Sequence, residues 1–146
     1  MNTKELPIRL REIIDDFEIS EGREKIELLI DFAGRLPTPP VHLLEKNGRF
    51  EEVPECMTPV SVTAEIIDQQ MHFYFQVPQE SPTVRGFAAI LADGLDGATP
   101  EQILRIPSDF YYTMGLEKVL TMQRLNGFTA ILAHIKRLAT EALNHI

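Results

Sequence analysis

Apolar residues in the first third of the chain recur with the spacing of a helix face. Two groups follow the i, i+3, i+4, i+7 rule and predict two amphipathic helices: Leu10, Ile13, Ile14 and Phe17, then Ile26, Leu29, Ile30 and Ala33. Ser20 is predicted to cap the second helix and Gly34 to end it. The proline-rich segment at residues 36–40 must then be extended, because proline restricts its own backbone and that of the residue before it.

In the middle of the chain the pattern changes from helical spacing to alternation. Residues 60–66 and 71–77 are rich in β-branched and aromatic side chains and alternate between apolar and polar, so they predict two strands of a hairpin. Asp68, Gln69 and Gln70 are predicted to form the turn between them. Phe50 to Val53 predicts a third, short strand.

Helical spacing returns in the second half. Ser81 and Pro82 predict an N-cap followed by proline in the first turn, and one apolar face follows: Val84, Phe87, Ala88, Leu91 and Leu95. Residues 99–102 read as a capping box, and residues 110–114 predict a short helical turn that Gly115 ends. Thr121 is predicted to cap a long final helix with the apolar stripe Phe128, Ile131, Leu132, Ile135, Leu138, Ala139 and Ala142.

This order of elements predicts an α+β fold, with a small antiparallel three-stranded sheet and helices packed on one face. A length of 146 residues predicts one domain spanning residues 1–146. No apolar run approaches the length of a membrane span, and the N-terminus has no apolar core of a secretory signal. With one cysteine the chain cannot form an internal disulfide, which favours a reducing, cytoplasmic location.

The charge balance argues against nucleic acid as a partner. The net charge is −8, from 22 acidic residues against 14 lysines and arginines, and no basic stripe offsets it. The four histidines show no short metal-ligand spacing, His72 reads as a half-exposed strand residue, and one cysteine excludes a zinc ribbon. The chain has no glycine-rich phosphate loop. A Cys–His hydrolase has no local motif to support it, although such dyads are assembled in space.

Cys56 can be interpreted in two ways. A free cysteine is commonly a buried, inert core residue. Here, however, it lies in a predicted loop between strands, and Pro54 and Pro59 restrict the backbone on either side. The acidic neighbours Glu51, Glu52 and Glu55 disfavour a thiolate, so we expect a sluggish nucleophile that reacts when a partner changes its surroundings.

Two arginines are candidate anchors for a carboxylate of the fold or of a partner. Arg85 and Arg124 fall near the first turns of predicted helices, where the helix dipole disfavours cations. Each is followed closely by a glycine within a helical pattern, Gly86 and Gly127, which indicates close backbone approach.

Five motifs, in order, resemble those of the SufE family of sulfur acceptor proteins, from about Leu6 to Leu143. They are the helix-ending turn Ala33-Gly34-Arg35-Leu36-Pro37, the cysteine loop Val53-Pro54-Glu55-Cys56-Met57-Thr58-Pro59-Val60, Glu80 ahead of Val84-Arg85-Gly86-Phe87, Thr99-Pro100-Glu101-Gln102-Ile103, and Leu120-Thr121-Met122-Gln123-Arg124-Leu125-Asn126-Gly127-Phe128.

The resemblance implies that the chain takes sulfane sulfur from a SufS-like cysteine desulfurase as a persulfide on Cys56. It would stimulate the desulfurase and deliver sulfur to an iron–sulfur scaffold complex. Arg124, Glu80 and Arg85 would bind the partner or support the loop. Pyridoxal phosphate belongs to the desulfurase, so the chain itself would need no cofactor. The resemblance further implies a cytoplasmic protein that is a monomer or a weak homodimer.

Several residues depart from the family pattern. Glu55 stands where the family has glycine, Thr58 replaces a common serine, and Glu80 replaces aspartate, while Pro59 and Ser61 also differ. These changes keep open a second hypothesis, a non-carrying adaptor or regulatory partner of a desulfurase. A self-contained thiol enzyme is a third hypothesis. A scaffold that binds the cluster itself is disfavoured because one cysteine supplies too few ligands.

Overall fold

The computed structural model describes residues 5–45, 50–54 and 58–144. In chain order the elements are α1 (Ile8–Ile19), α2 (Arg23–Ala33), α3 (Val41–Leu44), β1 (Glu51–Glu52), β2 (Ser61–Ile67), β3 (Gln70–Gln76), α4 (Pro82–Gly94), α5 (Pro100–Leu104), two 3-10 turns (Phe110–Tyr112 and Leu116–Lys118) and α6 (Met122–Asn144). The predicted α+β fold with one three-stranded antiparallel sheet is confirmed.

The sheet has the order β1-β2-β3. Strands β2 and β3 pair over their full length, from Ser61 opposite Gln76 to Ile67 opposite Gln70. The turn between them is one residue shorter than predicted, because Gln70 already belongs to β3. Asp68 and Gln69 have φ values of 52° and 68°, and two positive φ values define a type I′ turn, which matches the natural twist of a hairpin.

Helix α4 lies at the centre of the molecule. It packs against α1, α2, β3 and α6, and its buried residues cover more than the predicted face: Val84, Gly86, Phe87, Ala88, Ala89, Ile90, Leu91, Ala92 and Gly94. Two glycines allow its neighbours to come close. A Cβ on Gly86 would lie 2.2 Å from the carbonyl oxygen of Leu29 in α2, and a Cβ on Gly94 would lie 3.2 Å from the Cα of Leu10 in α1.

Aromatic stacking connects α4 to the C-terminal half of the chain. The rings of Phe87 and Phe128 are nearly parallel, at 4°, with centroids 4.1 Å apart. Phe110, in the first 3-10 turn, stacks on the Phe87 ring with a centroid distance of 5.8 Å. All three side chains are fully buried, so the position of α6 is set by the same core that holds α4.

The predicted buried face of α2 is partly wrong. The structure buries Lys25, Leu29, Phe32 and Ala33, whereas Ile30 is 44% exposed. The helix is rotated because Phe32 stacks on Phe17, and because the Lys25 ammonium donates to the backbone carbonyls of Phe17 and Met114. A buried cation is tolerated when its protons are bonded in this way.

The capping predictions gave mixed results. Ser20 does not cap α2: Gly22 is the N-cap, and the Ser20 hydroxyl donates to the Asp16 carbonyl at 2.9 Å. Ser81 is the N-cap of α4 but makes no side-chain capping bond.

The capping box of Thr99 and Gln102 has both of its hydrogen bonds. Three further predictions are confirmed: Gly34 ends α2, Gly115 follows the 3-10 turn with φ 77°, and the Thr121 hydroxyl accepts the amide N–H of Arg124 at 3.3 Å.

The crossing of α2 and α4 yields a test of the fold. We expect Gly86→Ala to lower the free energy of unfolding by about 2–3 kcal/mol, because the added methyl group overlaps the Leu29 carbonyl and a backbone atom cannot rotate away. Gly34→Ala is the matched control, since its Cβ would meet the nearest atom at an ordinary 3.5 Å with φ at −70°. Urea denaturation measures both variants, and an unchanged midpoint for Gly86→Ala would contradict the close crossing.

Candidate functional site

The cysteine loop joins β1 to β2. Cys56 itself, with Glu55 and Met57, lies outside the described residues, and the described part of the site consists of the residues that flank it. The amide N–H of Val53 donates to the carbonyl of Val60 at 2.9 Å, and this backbone bond closes the base of the loop. Both valine side chains are buried in the core, which anchors the base of the loop.

The two arms of the loop are held very differently by the sheet. The C-terminal arm continues into β2, where every residue of the strand is paired with β3, and the Ser61 hydroxyl also donates to the side chain of Gln76 at 2.9 Å. The N-terminal arm, residues 51–54, begins with β1. This edge strand has only two register pairs, Glu51 with Val62 and Glu52 with Ser61. The N-terminal arm therefore has less support from the sheet.

A cleft of about 710 Å³ lies between the base of the loop and helix α6. Glu52 and Pro54 line it from the loop side. The remaining lining residues are spaced at i, i+3, i+4, i+7, i+8 and i+11 and so form one face of α6: Asn126, Thr129, Ala130, Ala133, His134 and Arg137. Because Pro54 is only two residues from Cys56, this cleft is the part of the described surface that we assign to the site.

Three of the α6 residues that line the cleft offer no free functional group: two are alanines, and the third is a threonine whose hydroxyl is bonded within the fold. Ala130 and Ala133 contribute only methyl groups. The hydroxyl of Thr129 donates to the Leu125 carbonyl at 3.1 Å and lies 2.8 Å from the hydroxyl of Tyr111. The threonine hydroxyl is therefore engaged within the fold.

A charged cluster connects β1 to α6 beside the cleft, and two of its three members, His134 and Arg137, line the cleft. The two carboxylate oxygens of Glu51 lie 3.4 Å from Nη2 of Arg137 and 3.7 Å from Nε2 of His134. Arg137 Nη2 also lies 3.3 Å from Nδ1 and 3.1 Å from Nε2 of the His134 ring. A nitrogen almost equidistant from both ring nitrogens cannot lie in the ring plane, where the carbon between them would block it. Nη2 of Arg137 therefore lies over the face of the imidazole ring.

The sequence patterns did not indicate this cluster, and Glu51 was predicted only as an acid near the cysteine. His134 is buried beside the apolar stripe of α6, and Arg137 follows it at i+3, on the same side of the helix. That pairing was readable from the sequence. Its connection to β1 was not, because it depends on how the edge strand lies against α6.

The three other predicted site residues lie elsewhere. None of Glu80, Arg85 and Arg124 is among the described residues that line the cleft. Arg85 is half-buried, donates from Nη1 to the Val77 carbonyl at 2.6 Å, and borders a groove beside the proline-rich segment. Arg124 is exposed in the first turn of α6, and Glu80 is exposed between β3 and α4. Their assignment to partner binding or loop support stays a prediction.

The histidines account for no metal centre within the described ranges. His42 pairs with Glu65 at 2.6 Å, and His72, half-buried in β3 as predicted, pairs with Asp96 at 2.7 Å. His145 lies outside the described residues. Residues 5–45, 50–54 and 58–144 contain no group of three or more potential ligands arranged to hold a metal ion. In the same ranges no helix combines the length and apolarity needed to cross a bilayer.

Comparisons with known proteins find one matching family model and several similar proteins. The SufE family model, described as an Fe-S metabolism associated domain, matches residues 11–139. The chain is 43% identical over 138 residues to an uncharacterized SufE-like protein of Mycobacterium tuberculosis, covering 94% of this chain and 95% of that protein. It is also 39% identical over 61 residues to the cysteine desulfuration protein SufE of Plasmodium vivax, covering 42% of this chain and 25% of that protein.

The fold is similar to a solved structure as well. The solution structure of a hypothetical protein from Thermus thermophilus superimposes with a TM-score of 0.83 and 34% sequence identity. The similarity covers 95% of this chain and 98% of the Thermus protein.

Arg85 and Arg124 were predicted alike from the sequence, and their surroundings now distinguish them. We expect Arg85→Met to lower the free energy of unfolding by about 1 kcal/mol, because it removes a charged donor from the Val77 carbonyl. Arg124→Met, on an exposed side chain, should change it by less than about 0.5 kcal/mol. Thermal and urea unfolding of the pair test this, and equal stability of the two variants would argue against a supporting role for Arg85.

Proposed function

Because the chain belongs to the SufE family, we propose that it is the sulfur acceptor of a SufS-like cysteine desulfurase. It receives sulfane sulfur as a persulfide on Cys56, stimulates the desulfurase, and passes the sulfur to an iron–sulfur scaffold complex. The pyridoxal phosphate that releases sulfur from cysteine is part of the desulfurase. The proposed location is the cytoplasm, where reducing conditions keep a single thiol free.

One observation carries this proposal: the only cysteine of the chain falls in the loop that the Val53–Val60 backbone bond closes. Val53 and Val60 are buried, so the described ends of the loop are held by the core, while the adjacent Pro54 and Pro59 are exposed. Functional groups are commonly presented in this way, on a connection supported by a rigid scaffold.

The transfer is a thiol exchange without net oxidation. Cys56 loses its proton, and its thiolate attacks the terminal sulfur of the donor's cysteine persulfide. A new sulfur–sulfur bond forms on Cys56, the bond within the donor persulfide breaks, and the donor cysteine leaves as a thiolate that takes up a proton. Glu52 and Glu55 add negative charge next to Cys56 in the sequence, which disfavours the thiolate in the free protein. A carrier of this kind gains from low reactivity before its donor arrives.

A desulfurase assay tests the proposal directly. Incubation with a SufS-like desulfurase and cysteine should add the mass of one or more sulfur atoms to a peptide containing Cys56, as measured by mass spectrometry. Treatment with a thiol reductant should remove that mass, because a persulfide is reducible. The desulfurase should also turn over faster in the presence of the protein.

Cys56→Ser is the matched variant for this assay. It should take up no sulfur and give no stimulation, while binding the desulfurase as the wild type does. Full stimulation by Cys56→Ser would instead support the non-carrying adaptor, the alternative raised by Glu55 in place of the family's glycine. Wild-type protein that acquires no sulfur and leaves the desulfurase unaffected would exclude both functions.

A further inference from the structure

We propose that Glu51, His134 and Arg137 form a positioning cluster that anchors the N-terminal arm of the cysteine loop to helix α6. The anchoring sets the rate of sulfur transfer and leaves the affinity for the desulfurase unchanged. This inference rests on the proposed function. It assigns three positioning residues to the proposed reaction, and we expect none of them to contact the transferred sulfur.

The need for an anchor follows from the unequal support of the loop. The C-terminal arm is fixed by seven paired residues of β2. The N-terminal arm has two register pairs and the single backbone bond from Val53. An edge strand with so few bonds opens more easily than a central one. A side-chain contact to a rigid element would supply the support that the N-terminal arm lacks, and Glu51 makes such contacts at the start of the arm.

Helix α6 is well suited to serve as that rigid element. It is 23 residues long, and Phe128 locks it to α4 in the core. His134 and Arg137 are carried on the same helix face that lines the cleft. Any displacement of Glu51 relative to these two residues is therefore a displacement of the loop relative to the core.

The geometry within the cluster also restricts Arg137. Its Nη2 lies over the buried ring of His134 and 3.4 Å from a carboxylate oxygen of Glu51. These two contacts hold Nη2 between the ring and the Glu51 carboxylate. His134 thus acts through Arg137, and also contacts the second oxygen of the Glu51 carboxylate.

The cluster is suited to positioning rather than to stabilising the fold. The side chains of Glu51 and Arg137 are 39% and 52% exposed, and partly exposed ion pairs contribute little to stability. Reaction rates respond more strongly to such contacts, because a small misplacement of a reacting group can slow a step about 100-fold. Neutral variants of these residues should therefore remain folded and still change the transfer rate.

The test compares Glu51→Gln, Arg137→Gln and the double variant with wild type, in single-turnover sulfur transfer from persulfidated desulfurase. Each single variant should lower the rate at saturating desulfurase about tenfold, with the half-saturating concentration unchanged. The double variant should be no slower than Glu51→Gln alone, since that change already removes the ion pair between Glu51 and Arg137. Glu141→Gln is the control: it removes a carboxylate from Arg137 without touching β1, and should transfer at the wild-type rate.

A second readout follows the anchoring without any sulfur chemistry. Hydrogen exchange at the Val53 amide, which bonds to Val60, should be faster in Arg137→Gln than in wild type or Glu141→Gln. His134→Gln should speed the same exchange, because Arg137 loses the ring beneath it.

Three outcomes would overturn the inference: wild-type transfer rates in both single variants, a double variant with the product of the two single losses, or a raised half-saturating concentration at an unchanged rate. Wild-type protein that takes up no sulfur would overturn the proposed function and the rate effect together. In that case the exchange of Val53 still decides whether the cluster anchors the arm.

Discussion

Helix α4 is enclosed by other elements along most of its surface, and the arrangement of the molecule depends on that enclosure. The absence of side chains at Gly86 and Gly94 brings the backbones of α2 and α1 against the helix. On another side Phe87 stacks in parallel on Phe128 and so fixes α6. Helix α6 carries the face that lines the cleft beside the cysteine loop. The position of that face therefore depends on the packing of α4, although α4 contributes no residue to the lining of the cleft.

A buried charged group also holds together parts of the fold that are distant in the sequence. Lys25 is buried and donates to two backbone carbonyls, one in the last turn of α1 and one just ahead of Gly115. It therefore connects the N-terminal helices to the segment between α5 and α6. The cluster at the cleft works differently, because Glu51, His134 and Arg137 are side chains of two separate elements that meet at the surface. The Lys25 contacts are part of the core, whereas the Glu51 cluster is the one proposed to position the cysteine loop.

The sequence predicted those features whose causes are local. Strong periodicity located α1 and α6, alternation located β2 and β3, and the capping box at Thr99 formed both of its hydrogen bonds. The phase of α2 was missed because apolar spacing cannot show that a lysine will be buried against carbonyls. Gly86 was correctly associated with close backbone approach, but its partner Leu29 lies far away in sequence.

The candidate site was predictable to a smaller extent. Cys56 was identified through the ordered motifs of its family rather than through geometry, and it lies outside the described residues. Arg85 and Arg124 looked equivalent in the sequence because both begin helices, and only the folded chain separates a half-buried donor to Val77 from an exposed side chain. The Glu51 cluster depends on tertiary contact between an edge strand and a helix, for which local patterns hold no information.

The hairpin turn at Asp68 and Gln69 has a consequence at the opposite end of the sheet. Two residues with positive φ fix the register of β2 against β3, and in a strand a slip of one residue exchanges its inward and outward faces. Such a slip would turn Val62 out of the core. The turn therefore acts on the strand that leads out of the cysteine loop, because it keeps Val62, two residues after Val60, on the buried side of the sheet.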